Sequence, residues 1–209
     1  FDENRDQAIR EAIESGIGKV LLPNIDVSSI ERMHNVCDAW PDFAYPMMGL
    51  HPTSVNADFE EQLTIIKSHL KTREYCAIGE IGIDLYWDKT YIREQEYAFE
   101  EQLKWAIQLN LPVAIHTRDA FPEVINCIRN AGSESLTGVF HSFTGNEAEL
   151  ASLLEFKNFK IGINGVITFK NSTLQKVLKN TTIDTIILET DAPYLAPVPY
   201  RGRTNQPVY

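Results

Sequence analysis

Short apolar runs alternate with amphipathic, helical patterns along most of this chain. The apolar runs predict seven strands, at Val20–Ile25, Tyr45–Leu50, Cys76–Ile81, Pro112–Ile115, Gly138–Phe140, Lys160–Ile163 and Thr185–Leu188. Apolar positions at helical spacing predict helices over about 3–15, 29–38, 59–70, 92–109, 120–130, 146–155 and 172–179. Such regular alternation is typical of a parallel sheet covered by helices.

The number of strands bears on how the sheet closes. A closed (β/α)8 TIM barrel needs eight strands, and this α/β pattern begins with a helix and ends with a strand and a loop. We therefore predict a barrel whose first strand lies before Phe1 and whose last helix lies after Tyr209. The alternative, an open doubly wound sheet, would carry a glycine-rich turn after its first strand, and the sequence has none. No repeat or linker is visible, so we predict one domain over 1–209.

Polar residues follow five of the apolar runs, at the points where the strands are predicted to end. They are His51, Glu80, His116, His141 and Asp191. Carboxylates and imidazoles are costly to bury unless they are paired or bind a metal. Because the carboxyl ends of barrel strands meet at one face, a recurring set of this kind predicts a shared active site there.

Glu80 lies in the segment Ala77–Asp84, which reads AIGEIGID. A carboxylate has two oxygens and can bridge two cations, so we predict that Glu80 is a metal ligand and a catalytic residue. The alternative is a buried glutamate paired with a neighbouring arginine. Gly79 and Gly82 permit unusual backbone angles, and we expect them to let the backbone approach a ligand closely.

His116, His141 and Asp191 are the other predicted metal ligands. Neutral imidazole is a common nitrogen ligand for transition metals, although a single histidine at a strand end is more often structural. Asp191 could also accept a proton from the attacking water, which makes it the second catalytic candidate. Its alternative role is that of a turn residue before Pro193. Glu189 could support the metal ligands or serve as a buried partner, and the sequence does not decide between these.

Arg118 and His51 are candidates for binding substrate. Arg118 follows His116 by two residues, so the same side of the strand would point its guanidinium towards the mouth of the site, where it could hold a phosphate. A surface salt bridge is the alternative. His51 precedes Pro52 and could donate a hydrogen bond to substrate or to a water molecule on the metal, or simply fix the turn.

The loop after the last strand is rich in proline and glycine and would overhang the site. It carries Arg201, Arg203 and Asn205, and we predict that the two arginines contact substrate phosphates. Tyr86 and Trp87 lie in the loop that follows Glu80. They could stack on a nucleobase or pack the loop, and the sequence favours packing.

Composition narrows the class of protein. The net charge is −10 and the pI is near 5.0, which argues against a protein that coats nucleic acid with a broad basic surface. It does not exclude a nuclease, because metal ions and a few arginines can hold phosphate in a cleft. No stretch is long and apolar enough for a membrane helix, and no signal peptide is visible. Three widely spaced cysteines suit reduced thiols and a cytoplasmic location.

Several longer motifs resemble the TatD family of metal-dependent deoxyribonucleases, within the amidohydrolase-like superfamily. They are GLHP, AIGEIGID, the run FxxQLxxAxxLxLPVAIHTRDA over Phe99–Ala120, GVFHSFTG, IGINGVITFKN and ILETDAPYLAPVPYRG. The resemblance covers essentially the whole chain. The ending RGRTNQPVY departs from the family's usual Arg-Gly-Lys-Arg-Asn-Glu-Pro run.

The resemblance implies a site with two divalent ions, of Mg²⁺, Mn²⁺ or Zn²⁺, that activate a water molecule. Glu80 would bridge the ions, His116 and His141 would hold one, and Asp191 would hold the other. The family also uses a His-x-His pair on its first strand, and this sequence contains no such pair. That agrees with the strand count, which places the first strand before Phe1.

The function implied by the resemblance is hydrolysis of DNA phosphodiester bonds, as a 3′-5′ exonuclease acting on strand ends or single strands. One alternative is a hydrolase of another bond on the same scaffold, such as an amide, a lactone or an aminoacyl-tRNA ester. Another is a metal-free binding protein. We expect no membrane partner, and the oligomeric state is left open, a monomer included.

Overall fold

The fold is taken from a computed structural model that describes the whole chain except Asp2 and, of Asn180, only the backbone. Seven parallel strands pair in sequence order, β1 to β7. They are β1 Val20–Pro23, β2 Ala44–Met48, β3 Ala77–Asp84, β4 Val113–Arg118, β5 Gly138–His141, β6 Phe159–Ile163 and β7 Ile186–Leu188. The α-helices are α1 Arg5–Glu14, α2 Ile30–Ala39, α3 Phe59–His69, α4 Ile92–Leu109, α5 Phe121–Ala131, α6 Glu147–Leu153 and α7 Leu174–Val177.

The predicted alternation is confirmed, and the sheet curls with its helices into an open barrel. β1 and β7 are the two edges of the sheet, and they are not paired with each other in the described part of the chain. The edges leave apolar side chains in solvent, with Leu21 exposed by 55% and Leu188 by 82%. No α-helix in the described residues is long and apolar enough to cross a bilayer.

The main core lies between the sheet and the helices on its outer side. Ile78, Ile81 and Ile83 of β3 pack in one cluster with Phe99 and Leu103 of α4, all fully buried. Side chains alternate between the two faces of a strand, so the opposite face carries a different set. That face holds a small apolar cluster of Met47, Ala77 and Ala114, and His116 follows Ala114 by two residues on the same face of β4.

Helix α4 fixes the carboxyl ends of two strands through buried glutamines. The backbone N–H of Leu50, just after β2, donates to Oε1 of Gln102 at 2.6 Å. The N–H of Asp84, at the end of β3, donates to Oε1 of Gln95 at 2.8 Å. Both glutamines are buried. Each accepts a backbone N–H that would otherwise be unpaired at a strand end, and the bond also fixes α4 against the sheet.

β3 and β4 are longer than the sequence pattern predicts, and both lengthen at the carboxyl end. β3 continues to Asp84 because residues 82–84 pair with residues 116–118 of β4. Gly82 has φ of +143°, and a Cβ there would overlap the carbonyl oxygen of His116. The close approach that this glycine allows here is to the backbone of β4, and its closeness to a ligand stays a prediction.

The register of β3 against β4 shifts between Ile78 and Ile81, which is a β-bulge. Glu80 lies inside this bulge, in the middle of β3, rather than at the end of a strand as predicted. Bulges are common next to active sites because the extra residue changes where a side chain points.

The last predicted helix is shorter than expected. α7 spans only four residues and passes into a 3-10 turn at Leu178–Asn180, whereas the sequence predicted residues 172–179. The buried side chains of α7 are Leu174 and Val177, and Leu178 is buried at the start of the 3-10 turn. So short an apolar face gives little packing to sustain a longer helix.

Candidate metal centre

Three side chains from neighbouring strands form a group that could hold a metal ion. His51 follows β2, Glu80 lies in β3 and His116 lies in β4. Each offers one ligand atom, and the three atoms all lie within 4.8 Å of one another. The sequence predicted two of these as ligands and His51 as a substrate contact, and the structure brings all three together.

His116 lies between two carboxylates. Its Nδ1 donates to Glu80 Oε1 at 3.0 Å, and its Nε2 donates to Asp84 Oδ2 at 2.8 Å. The Asp84 side chain is only 4% exposed. A buried acid that holds one imidazole nitrogen fixes the ring and leaves the other nitrogen facing Glu80.

Asp84 was missed by the sequence analysis, although a signal for it was present. Glu80, Gly82 and Asp84 are spaced by two residues, so they share one face of β3. The same spacing places His116 and Arg118 on one face of β4. Extending the predicted strand by three residues would have placed Asp84 beside His116.

His141, at the end of β5, is held in a similar way. Its Nδ1 donates to Glu189 Oε1 at 3.0 Å, and its Nε2 lies 3.4 Å from Asp191 Oδ1 and 4.0 Å from Glu80 Oε1. The backbone N–H of Ser142 also donates to Glu189. Glu189 therefore supports the ring, and Glu80 faces both imidazoles.

The ring of His51 is fixed by the turn that follows it. Its Nδ1 accepts the backbone N–H of Thr53 at 3.2 Å, and its Nε2 lies 3.8 Å from Glu80 Oε1. The ring meets that of His116 edge-on, with centroids 4.7 Å apart. In a neutral imidazole whose Nδ1 accepts, Nε2 carries the hydrogen, so this arrangement favours a donor facing the site.

The pKa values in the cluster reflect burial set against close partners. Burial opposes ionisation of Glu80, but His116, His141 and His51 outweigh it and lower the pKa of its carboxyl to about 2. Burial also opposes the charged form of His116, yet hydrogen bonds to Asp84 and Glu80 raise its pKa to about 9. In His141 the acids likewise overcome burial and raise the pKa. In His51 burial prevails and lowers the pKa to about 4.

The charge balance of the cluster suits a divalent cation. In the described chain, the carboxylates of Glu80, Asp84, Glu189 and Asp191 form ion pairs only with histidines, and with no lysine or arginine. Four carboxylates outnumber the two imidazoles whose pKa values are raised, so the cluster is negative at neutral pH. Buried negative charge of this kind is stabilised by a metal ion, and the mixed oxygen and nitrogen donors suit Mn²⁺ or Zn²⁺.

Asp191 is the most open of these acids. Its side chain is 35% exposed, compared with 10% for Glu80. Its carbonyl oxygen also accepts the N–H of Tyr194 at 2.6 Å, so the turn proposed as the alternative role of Asp191 is present as well. The two roles use different atoms of the residue.

All three arginines that were predicted to bind phosphate are exposed. Arg118 is close to His116 in the sequence, whereas Arg201 and Arg203 lie in the final loop. The guanidinium of Arg118 lies 3.7 Å from the centre of the Tyr86 ring, and it makes no salt bridge within the described residues. Arg201 covers the ring of Phe169 at 3.7 Å. Arg203 is anchored by its backbone N–H, which donates to Tyr200 O. Within the residues that the structure describes, no hydrogen bond or ion pair joins Arg201 or Arg203 to the metal-ligand group.

Asn205 is buried in the final loop, where its hydrogen bonds hold the loop together. It is 1% exposed, its Nδ2 donates to Tyr194 O at 2.6 Å, and its N–H donates to Pro193 O at 2.9 Å. These bonds tie the end of the loop to the turn after Asp191.

Comparison with known proteins agrees with this geometry. The family model described as TatD related DNase matches residues 1–209. A Bacillus subtilis protein named "Uncharacterized metal-dependent hydrolase YabD" is 34% identical over 210 residues, which cover 100% of this chain and 82% of that protein. A Pectobacterium parmentieri protein named "3'-5' ssDNA/RNA exonuclease TatD" is 32% identical over 220 residues, with the same shares covered.

Solved structures extend the comparison to the fold. The Escherichia coli TatD homologue YjjV superposes with a TM-score of 0.91 at 27% identity, covering 100% of this chain and 80% of that one. A TIM-barrel protein from Bordetella bronchiseptica shares the fold at 11% identity, with a TM-score of 0.65 over 88% of this chain and 69% of that one. The chain belongs to the TatD-related DNase family of metal-dependent hydrolases.

Proposed function

We propose that this protein hydrolyses phosphodiester bonds of single-stranded DNA or of DNA strand ends, as a 3′-5′ exonuclease that uses two divalent ions. The observation that carries the proposal is the position of Glu80, whose carboxylate faces His51, His116 and His141 at once. The nucleic-acid substrate is supported by relatives named as exonucleases acting on single-stranded DNA and RNA.

The residues divide into metal ligands and their supports. We propose that Glu80 is shared between two ions, that His116 and His141 hold one, and that Asp191 holds the other. Asp84 and Glu189 each occupy one nitrogen of an imidazole, which leaves the second nitrogen facing Glu80. When bound, divalent cations neutralise phosphate charge and lower the pKa of water towards neutrality.

Asp191 is the proposed general base. It is the acid in the cluster with the most contact with solvent, so it can accept a proton from the attacking water and release it to bulk. His51 stays neutral at pH 7 because burial lowers its pKa. Its Nε2–H lies near Glu80, where it can donate a hydrogen bond to an oxygen of substrate or water.

Arg118, Arg201 and Arg203 are the proposed phosphate contacts. The protein is acidic overall, so local arginines rather than a broad basic surface would hold the substrate. This arrangement suits strand ends that enter a cleft better than long duplex DNA lying across a surface.

We also propose that 1–209 act as one hydrolase domain and that the protein works in a reducing compartment such as the cytoplasm. The three cysteines, Cys37, Cys76 and Cys127, are all free, which supports that location.

The test is hydrolysis of single-stranded DNA by the full-length protein with Mg²⁺ or Mn²⁺, with EDTA, and with the Glu80→Gln variant. DNA labelled at the 5′ end should give a ladder, and DNA labelled at the 3′ end should release labelled mononucleotide at once. Glu80→Gln should lower kcat at least about 10³-fold, because the shared charge in the cluster is lost. Glu147→Gln, an exposed glutamate on α6, is the matched control.

The outcomes separate the alternatives. If Glu80→Gln keeps activity within tenfold of the parent, its bridging role is wrong. If the protein holds metal, measured by elemental analysis, but leaves DNA intact, a panel of amides, lactones and aminoacyl esters becomes the next test. If it neither holds metal nor cleaves, the binding-protein alternative is favoured.

A further inference from the structure

Two aromatic side chains lie in solvent beside the metal-ligand cluster. Tyr86 and Trp87 lie just after β3, separated from its last residue by the buried Leu85, and are exposed by 49% and 79%. Their rings meet edge-on with centroids 4.6 Å apart. Packing of the loop, which the sequence favoured, does not account for Trp87, because most of its surface is left in water.

A cation is ordered against the same pair. The guanidinium of Arg118 lies 3.7 Å from the centre of the Tyr86 ring and 5.8 Å from that of Trp87. These distances are in the range of cation–π attraction. The stacking orders the planar guanidinium while its edge N–H groups stay available to a phosphate. Tyr86, Trp87 and Arg118 together are called the stacking platform below.

The stacking platform is joined to the metal-ligand cluster through one buried acid. Asp84 accepts the backbone N–H of Tyr86 on Oδ1 at 3.0 Å and the Nε2–H of His116 on Oδ2 at 2.8 Å. Arg118 pairs with Asp84 across the strands and follows His116 by two residues, about 6.6 Å along β4. A nucleotide whose phosphate lies at the cluster would have its neighbouring base within reach of these rings.

Exposure alone does not mark a binding site, since single apolar side chains on surfaces are normal. Tyr97 shows the difference. It is 51% exposed on α4, but its ring packs edge-on against Phe59, and no cation of the described residues lies over it. The stacking platform combines exposed rings, an ordered cation and a direct bond to the site.

We propose that the stacking platform binds the base next to the scissile phosphate and thereby selects single strands over duplex. This inference rests on the proposed function. Every base has an aromatic face, so stacking is tolerant of sequence. A base in a duplex is paired and stacked already, and it must be unpaired and unstacked before it can use the platform.

The test compares Trp87→Ala, Trp87→Phe and the control Tyr97→Ala on single-stranded DNA and on the same DNA with abasic sites in its last nucleotides. Loss of one stacked base weakens binding by roughly 5- to 100-fold. Trp87→Ala should therefore raise KM for the normal strand by about that factor with kcat little changed, and it should have no effect on the abasic strand. Trp87→Phe should keep most of the affinity, and Tyr97→Ala should match the parent.

A second readout separates this inference from the proposed function. Binding of a fluorescein-labelled oligothymidylate is followed by anisotropy in EDTA, where no hydrolysis occurs. Weaker binding by Trp87→Ala with an unchanged melting temperature supports the stacking platform. If the parent cleaves DNA and Trp87→Ala has the same KM and Kd, or loses equally on the abasic strand, the platform is wrong and the nuclease stands. If the parent neither binds nor cleaves, the proposed function fails and this inference with it.

Discussion

His116 and His141 each lie between two carboxylates, but the two pairs of acids differ in their access to water. The partners of His116, Glu80 and Asp84, have side chains exposed by 10% and 4%. The partners of His141, Glu189 and Asp191, are exposed by 15% and 35%. The contacts are also closer around His116, at 3.0 and 2.8 Å, than around His141, at 3.0 and 3.4 Å.

The difference in exposure points to two roles for the acids. A buried acid can orient an imidazole ring, and an exposed acid can transfer a proton. Asp84 is buried behind His116, so it can fix the imidazole but cannot reach substrate or bulk water. Asp191 faces solvent, so it can exchange a proton during turnover. We therefore expect a change at Asp84 to act through metal affinity and stability. A change at Asp191, proposed as both a metal ligand and the base, should also act on the chemical step.

After Glu80→Gln, the largest effect is expected at Asp191. Asp191→Asn keeps the size of the side chain and removes the base, so kcat should fall about 10²- to 10⁴-fold. Asp184→Asn, at an exposed acid, should leave kcat unchanged. If Asp191→Asn raises KM alone, the residue binds substrate and is not the base.

The supporting acids should show a smaller effect with a different readout. Asp84→Asn and Glu189→Gln should each weaken metal binding about 10- to 100-fold, measured by calorimetric titration, because each frees one imidazole ring. Asp84→Asn should also lower the free energy of unfolding by roughly 1.5–3 kcal/mol, since a buried charged hydrogen bond is lost. Glu189→Gln should lower the free energy of unfolding by a smaller amount. Equal metal affinity in both variants and the parent would show that the acids do not orient the ligands.

Some residues of the site could be predicted from the sequence, and others depend on how the strands pair. Glu80, His116, His141 and Asp191 stand out because each interrupts or ends an apolar run. Asp84 was missed because the sequence predicted the end of β3 at Ile81, and only the pairing with β4 extends it. The bulge at Glu80 depends on register between two strands, and no local pattern encodes it. The exposure of Trp87 also depends on what the folded chain leaves uncovered.

Between pH 6.5 and 9, the metal-free protein should lose stability and its affinity for metal should rise. The pKa of His116 is raised to about 9 in the metal-free protein, so its contribution to stability is complete below about pH 6.5 and is lost as pH rises towards 9. The free energy of unfolding should fall by on the order of 2 kcal/mol over that range. Metal binds the neutral imidazole, so metal affinity should rise over the same range and offset the loss. Chemical denaturation in EDTA and in excess Mn²⁺ checks both signs. A metal-free protein that gains stability from pH 6.5 to 9 would contradict the contacts of His116 with the two acids.

The arginines extend the comparison to the rim of the site, and here we expect the smallest effects. Arg118 is ordered over Tyr86. Arg203 is exposed in the final loop, and its side chain makes no hydrogen bond, ion pair or ring contact within the described chain. An ordered guanidinium loses less freedom when it binds phosphate. Arg118→Ala should lower kcat/KM for single-stranded DNA about fivefold, and Arg203→Ala about twofold or less, in line with exposed charge contacts. Both losses should shrink at high salt. Lys157→Ala, at an exposed cation in the loop between α6 and β6, is the control. If Arg203→Ala costs more than Arg118→Ala, the final loop rather than the end of β4 carries the main phosphate contact.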